Sequence, residues 1–259
     1  MKRNGSVDRP KHAGWHQKFI VEERRLPAAA RRRLYLTSTV LMAVRLLGFL
    51  ILLAAVLTYT GFERLDQPVE NWFDAQRAPS TTGFMIALAI IFGPIALPII
   101  VLVVTVSWTI LAKHAWRPLL LAAAMLLGVI LAEILAPLVK HPRPPIDLML
   151  FGPDTSFSFP SGHVLGTSDF LLMLALLIAS RRQKTVFTFA AVALAVLGIF
   201  AQVVSRLYLG YHWISDTSAS IALSMVIVGA VIAVDTKRTV RIHGEPVSGP
   251  LSQPQVDGT

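Results

Sequence analysis

Three short stretches hold most of the residues able to do chemistry: Lys140-His141-Pro142-Arg143-Pro144-Pro145, Pro160-Ser161-Gly162-His163, and Ser205-Arg206 continuing to His212 and Asp216. His212 and Asp216 are four residues apart, so a helix puts them on one face. An Asp within an apolar span is costly and needs a partner. Bonded to one imidazole nitrogen, it fixes the tautomer and leaves the other nitrogen free as nucleophile or base. A polar pair that only stabilises a helix start is the competing reading. Ser161, Gly162 and His163 open an apolar run, where free backbone N–H groups and the helix dipole favour an anion. Arg143 and Arg206 sit at span ends, where a lone Arg is usually a snorkelling anchor. Two Arg, Lys140 and two His brought together instead suit a phosphoryl group, whose oxygens match guanidinium groups bidentately.

The elements that must position these residues are membrane helices. The chain has 259 residues, of which 54% are hydrophobic and 15% charged, with a formal net charge of +9; the mean hydropathy is +0.61. This composition excludes an ordinary soluble domain. Six apolar runs, roughly 35–61, 83–112, 117–139, 163–180, 185–206 and 213–235, are long enough to cross a hydrocarbon core of about 30 Å. The expected fold is an all-α polytopic bundle of about six transmembrane helices, with a kink at Gly93-Pro94 and Pro98 in the second. The first run begins near residue 34, too late and too long for a cleaved signal peptide. With no cysteine, thiol nucleophiles, thiolate metal sites and disulfides are excluded.

Positive residues gather at segment ends, at Arg31–Arg33, Lys113/Arg117, Arg181–Lys184 and Lys237/Arg238/Arg241. That pattern fits membrane lipids and topology, not nucleic acid. It puts both termini in the cytoplasm and the three chemical stretches on the extracytoplasmic side. Residues 1–33 are expected to be a basic, partly disordered cytoplasmic tail, 34–236 the six-span domain, and 237–259 a disordered cytoplasmic tail. In the 62–82 loop, Trp72 and Phe73 suggest an interfacial helix.

Together the three stretches resemble the type 2 phosphatidic acid phosphatase superfamily, whose fold is shared by soluble acid phosphatases and vanadium haloperoxidases. Pro160–His163 matches its Pro-Ser-Gly-His motif, and 205–216 matches Ser-Arg-x5-His-x3-Asp. The first motif, Lys-x6-Arg-Pro, departs: Arg143-Pro144 fits, but Ala136 stands where the lysine belongs and Lys140 is the nearest one. The resemblance implies that His212 forms a phosphohistidine, that Asp216 orients it, and that His163 protonates the leaving oxygen. It implies phosphate binding by Arg143, Arg206, Ser161, Gly162 and Lys140, with no metal and no cofactor. The implied substrate is a lipid phosphate or diphosphate, a polyprenyl diphosphate first, then phosphatidic acid or phosphatidylglycerol phosphate. The expected enzyme is thus a metal-independent lipid phosphatase of the cell membrane. The alternatives are a non-catalytic lipid-phosphate binder or transporter, and transfer to an acceptor other than water. Arg45, Glu133 and Asp169 within the spans read as structural pairs, His141 as a surface histidine, and Tyr208, Tyr211 and Trp213 as interfacial aromatics.

Overall fold

The computed structural model describes residues 15–182 and 184–254. The basic residues Lys2, Arg3, Arg9 and Lys11 lie outside them. A short helix α1 (Trp15–Lys18) and strand β1 (Val21–Arg25) lead into the long helix α2 (Ala28–Thr58). Pro27 precedes the first turn of α2, and Tyr59, at a left-handed φ of 51°, ends it. In the 62–82 loop, where an interfacial helix is expected, stands α3 (Asp66–Ala75), with Trp72 exposed. Its neighbour α4 (Pro79–Ile91) starts on a proline, whose missing N–H costs a first turn nothing.

The second span breaks where Gly93-Pro94 predicts: α4 gives way to α5 (Ala96–Leu111) with a 51° bend. α6 (Trp116–Val139), α7 (Gly162–Arg182), α8 (Thr185–Tyr208) and α9 (Ile214–Thr239) follow. Among the described residues five helices are long and apolar enough to cross a membrane, and the bent pair makes a sixth span. The protein is therefore an integral membrane helical bundle. α7 and α9 are its inner helices and α2, α6 and α8 face outward, as their differing burial shows. α2 and α9 approach closely at Gly229, where a Cβ would overlap Met42; the Ser38 hydroxyl donates to the Gly229 carbonyl at 2.7 Å. The core around Phe49, Leu121, Phe159, Leu165, Met173 and Ile227 fills the space between them.

The tails differ from expectation. After α9, β2 (Val240–Arg241) and later β3 (Ser252–Pro254) both pair in parallel with β1, in the order β2-β1-β3. The described parts of the two tails thus fold against each other. They are fastened to the bundle by Arg24–Asp235 at 3.3 Å and internally by Arg241–Glu23 at 2.8 Å.

Three span residues expected to be paired behave differently. Asp169 is fully buried, its carboxyl group over Gly128 of α6 and beside Ser224. Arg45 and Glu133 are exposed on the outer faces of α2 and α6 and form no ion pair among the described residues. A charge in an apolar stretch signals a polar need, not which way its helix face is turned.

Candidate active site

The far ends of α6, α7, α8 and α9 meet opposite the tails, and there the three stretches converge. Gly210 sets the α8–α9 turn: its φ of 74° is left-handed, and a Cβ would overlap the Leu148 carbonyl. The turn carries Tyr211 and His212 under the loop that follows α6. Trp213 precedes α9, and its N–H donates to the Asp216 carboxylate at 2.9 Å, capping the helix start. Asp66 of α3 caps it from outside, accepting from Ser215 N at 2.9 Å and Ser215 Oγ at 2.6 Å.

His212 is 2% exposed. Its Nδ1 lies 2.9 Å from the Ser158 carbonyl and its Nε2 lies 3.2 Å from Arg143 Nη1. A carbonyl only accepts, so Nδ1 carries the proton. In the neutral ring Nε2 then holds the lone pair. Burial drives the ring's pKa down to about 4; Asp216 opposes this, while Arg143 and Arg206 add to it. The ring is therefore neutral near pH 7.

Asp216 does not bond His212 closely: its Oδ2 is 3.7 Å from Nδ1. The Ser158 hydroxyl and the Trp213 N–H occupy Oδ2, and His141 Nδ1 lies 2.9 Å from Oδ1. His141 is thus not a surface histidine. It is 4% exposed and bound to the buried carboxylate. Burial lowers its pKa, but the bond to Asp216 and the charges of Asp216, Asp66 and Glu63 outweigh that, and the net shift is upward. Glu63, Asp66 and His141 also offer ligand atoms within 4.8 Å of one another.

Arg143 donates to the Tyr211 carbonyl at 2.7 Å, to Ser156 Oγ at 2.9 Å, and pairs with Asp154 at 3.0 Å. Burial lowers the pKa of Arg143, with Asp154 and Asp216 opposing. Arg206 is 4% exposed, stacked over the Tyr211 ring at 4.4 Å, with Nε unpartnered and no carboxylate paired to it among the described residues. A buried guanidinium lacking an anion is costly. It sits close enough to Arg143, His163 and His212 for their charges to act on one another. His163 opens α7, with the Ala89 backbone as hydrogen-bond partner and its Nε2 3.5 Å from where a Cβ on Gly93 would stand. The break in the second span thus faces this histidine. Ser161 is buried and Gly162 exposed at the same helix start, with open space above the glycine.

Of the residues that the resemblance assigns to catalysis or phosphate binding, Lys140 alone stays outside the cluster. It ends α6 at a left-handed φ of 55°, its side chain is exposed, and it makes none of the contacts that join the others. Tyr208 and Tyr211 are buried, not interfacial; the Tyr208 hydroxyl donates to the Ala78 carbonyl at 3.0 Å. Ser158 carries no pattern that marks it in advance. It lies in a loop without periodicity, and it acts through its carbonyl as much as its hydroxyl.

Residues 117–239 match the family model described as the PAP2 superfamily. The chain carries a PAP2 superfamily domain, and within that class it is a transmembrane helical one. It is 25% identical over 201 residues to phosphatidylglycerophosphatase B of Bacillus subtilis (strain 168), covering 75% of this chain and 95% of that protein. Phosphatidylglycerophosphatase B of Escherichia coli (strain K12) is 35% identical over 101 residues, 39% of this chain and 35% of that one. The fold resembles the crystal structure of a transmembrane PAP2 type phosphatidylglycerolphosphate phosphatase from Bacillus subtilis, with a TM-score of 0.69 at 22% identity over 76% of this chain and 96% of that one. Aquifex aeolicus LpxE gives a TM-score of 0.51 at 23% identity, covering 65% and 94%.

Proposed function

We propose that the protein is a membrane phosphatase that hydrolyses a lipid phosphate at the end of the bundle away from its termini, with His212 as nucleophile. One observation carries this reading above the rest. The Ser158 carbonyl fixes the His212 proton on Nδ1 and leaves the Nε2 lone pair facing Arg143. A site that only binds phosphate has no use for an oriented imidazole, so the binder and transporter readings fall behind.

The chemistry follows from the placement. Arg143 and Arg206 take the phosphoryl oxygens, with Ser161 and the N–H groups at the start of α7 completing the cradle. Nε2 of His212 forms a bond to phosphorus as the bond to the lipid oxygen breaks. The electron pair leaves with that oxygen, and His163 supplies its proton. The ring becomes positively charged, and Asp216 behind it stabilises that charge. Water then attacks phosphorus, His163 takes the water's proton, and the P–N bond breaks to release phosphate and the neutral ring.

The names of the relatives move phosphatidylglycerol phosphate ahead of polyprenyl diphosphate as the first substrate to test. The distribution of positive residues supports a reaction on the extracytoplasmic face of the cell membrane. Purified protein in detergent, offered phosphatidylglycerol phosphate, phosphatidic acid and a polyprenyl diphosphate, is expected to release phosphate from at least one of them. Release is expected to persist in EDTA. His212→Ala is expected to lower it by about 1,000-fold or more. Release lost to EDTA and restored by a metal contradicts the metal-free route and points to the Glu63, Asp66 and His141 set. Undiminished release by His212→Ala sinks the mechanism.

A further inference from the structure

His141, Ser158 and Asp216 form a closed ring of contacts, and His212 is tied to it through the Ser158 carbonyl. Ser158 N donates to the His141 carbonyl at 2.8 Å, and the Ser158 carbonyl accepts from His212. The Ser158 hydroxyl donates to Asp216 Oδ2, and His141 Nδ1 closes the ring on Oδ1 at 2.9 Å. Each member is at most 4% exposed. Oδ1 has no other hydrogen-bond partner among the described residues. Asp216 is fully buried, so an acceptor freed there is not resolvated by bulk water.

We propose that His141 is a positioning residue for the reaction: its Nδ1–H clamps the Asp216 carboxylate behind the His212 ring. The inference rests on the phosphatase reading of the same cluster. Asp216 is 3.7 Å from His212 Nδ1, too far to orient the ring by a direct bond. The carboxylate acts through space on the charge that grows on His212 as phosphorus is attacked. Its effect then depends on where its oxygens are held, and among the described residues His141 alone holds Oδ1. Because that charge is absent before attack, the clamp affects kcat and leaves substrate binding alone.

Two conservative variants separate the clamp from general packing. An Asn side chain puts an amide N–H near the place of Nδ1, whereas Gln puts it near Nε2. Steady-state kinetics on the best lipid phosphate, with Tm in detergent, are run on wild type, His141→Asn, His141→Gln and His141→Ala. Gln and Ala are expected to lose roughly 10- to 100-fold in kcat with KM within about twofold, and Asn to recover most of the loss. Equal kcat for Asn and Gln, or a folded Ala variant within about twofold of wild type, overturns the clamp. Where the Ala variant does not fold, the Asn and Gln pair decides. A wild type inactive on every lipid phosphate defeats the functional reading instead. The clamp is then read by NMR of protein labelled with 15N-histidine. A downfield His141 Nδ1 proton that shifts in Asp216→Asn supports it, and a His141 ring proton exchanging freely with water overturns it.

Discussion

Two residues at the end of α6 divide the site from its surroundings. Lys140 and His141 are adjacent, yet one points out and the other is buried against Asp216. The left-handed backbone at Lys140 ends the helix and turns the chain. Lys140→Ala is therefore expected to keep phosphate release within about twofold of wild type; a loss of tenfold or more shows that the side chain reaches the substrate. Asp66 is the second test at this scale. Burial raises its carboxyl group from 3.8 to about 6, against the bonds from Ser215 that lower it. The folded state thus holds its proton more tightly than the unfolded one, so it contributes stability at low pH that is lost as pH rises through about 6. Relative to Asp66→Asn, wild type is expected to gain Tm as pH falls from 6 towards 4. Parallel Tm curves for the two proteins contradict that. His212, His163, Asp216, Arg143 and Arg206 are legible in the sequence as candidates, because they fall in the short stretches that carry the family resemblance. Ser158 is not, since a serine in a Pro-rich loop has many ordinary uses and its carbonyl leaves no mark on the sequence.

The elements that aim these residues are helix ends and the turns between them. Gly210 must hold a left-handed φ with the Leu148 carbonyl against its Cα, while Arg77 bonds the neighbouring Tyr208 carbonyl at 3.1 Å. Gly210→Ala adds about 1–2 kcal/mol of backbone strain even before that overlap is relieved. It is expected to lower Tm and to cut kcat at least tenfold, because His212 is two residues away. Wild-type kinetics in that variant show the turn to be forgiving. The break of the second span was foreseeable from Gly93-Pro94. That His163 faces the break was not: the contact joins residues about 70 positions apart, and no local pattern encodes it.

At the scale of the whole molecule, hydropathy set the number of spans, and an even number of spans returns both tails to one side. The three-stranded sheet at that side escaped sequence reading. β2 and β3 are two and three residues long, β1 is Val-Glu-Glu-Arg-Arg, and none shows strand alternation. They pair because α2 and α9 return both tails to the same end of the bundle. The Arg24–Asp235 pair fixes the sheet there, each side chain 10% exposed. Arg24→Ala leaves Asp235 buried with Trp116 Nε1 as its remaining side-chain donor among the described residues, and is expected to cost about 3–5 kcal/mol, read as a drop in Tm with kcat unchanged. On the proposed function, the bundle serves one task, holding a buried neutral imidazole and two guanidinium groups where a lipid headgroup is to enter. The most direct test of that task is to trap the intermediate. Wild type is mixed with 32P-labelled lipid phosphate, quenched in alkali within a turnover, and its peptides are mapped. Alkali-stable, acid-labile label on the peptide containing His212, absent from His212→Ala, is the expected result; a protein that turns over the lipid with no label on His212 contradicts the account.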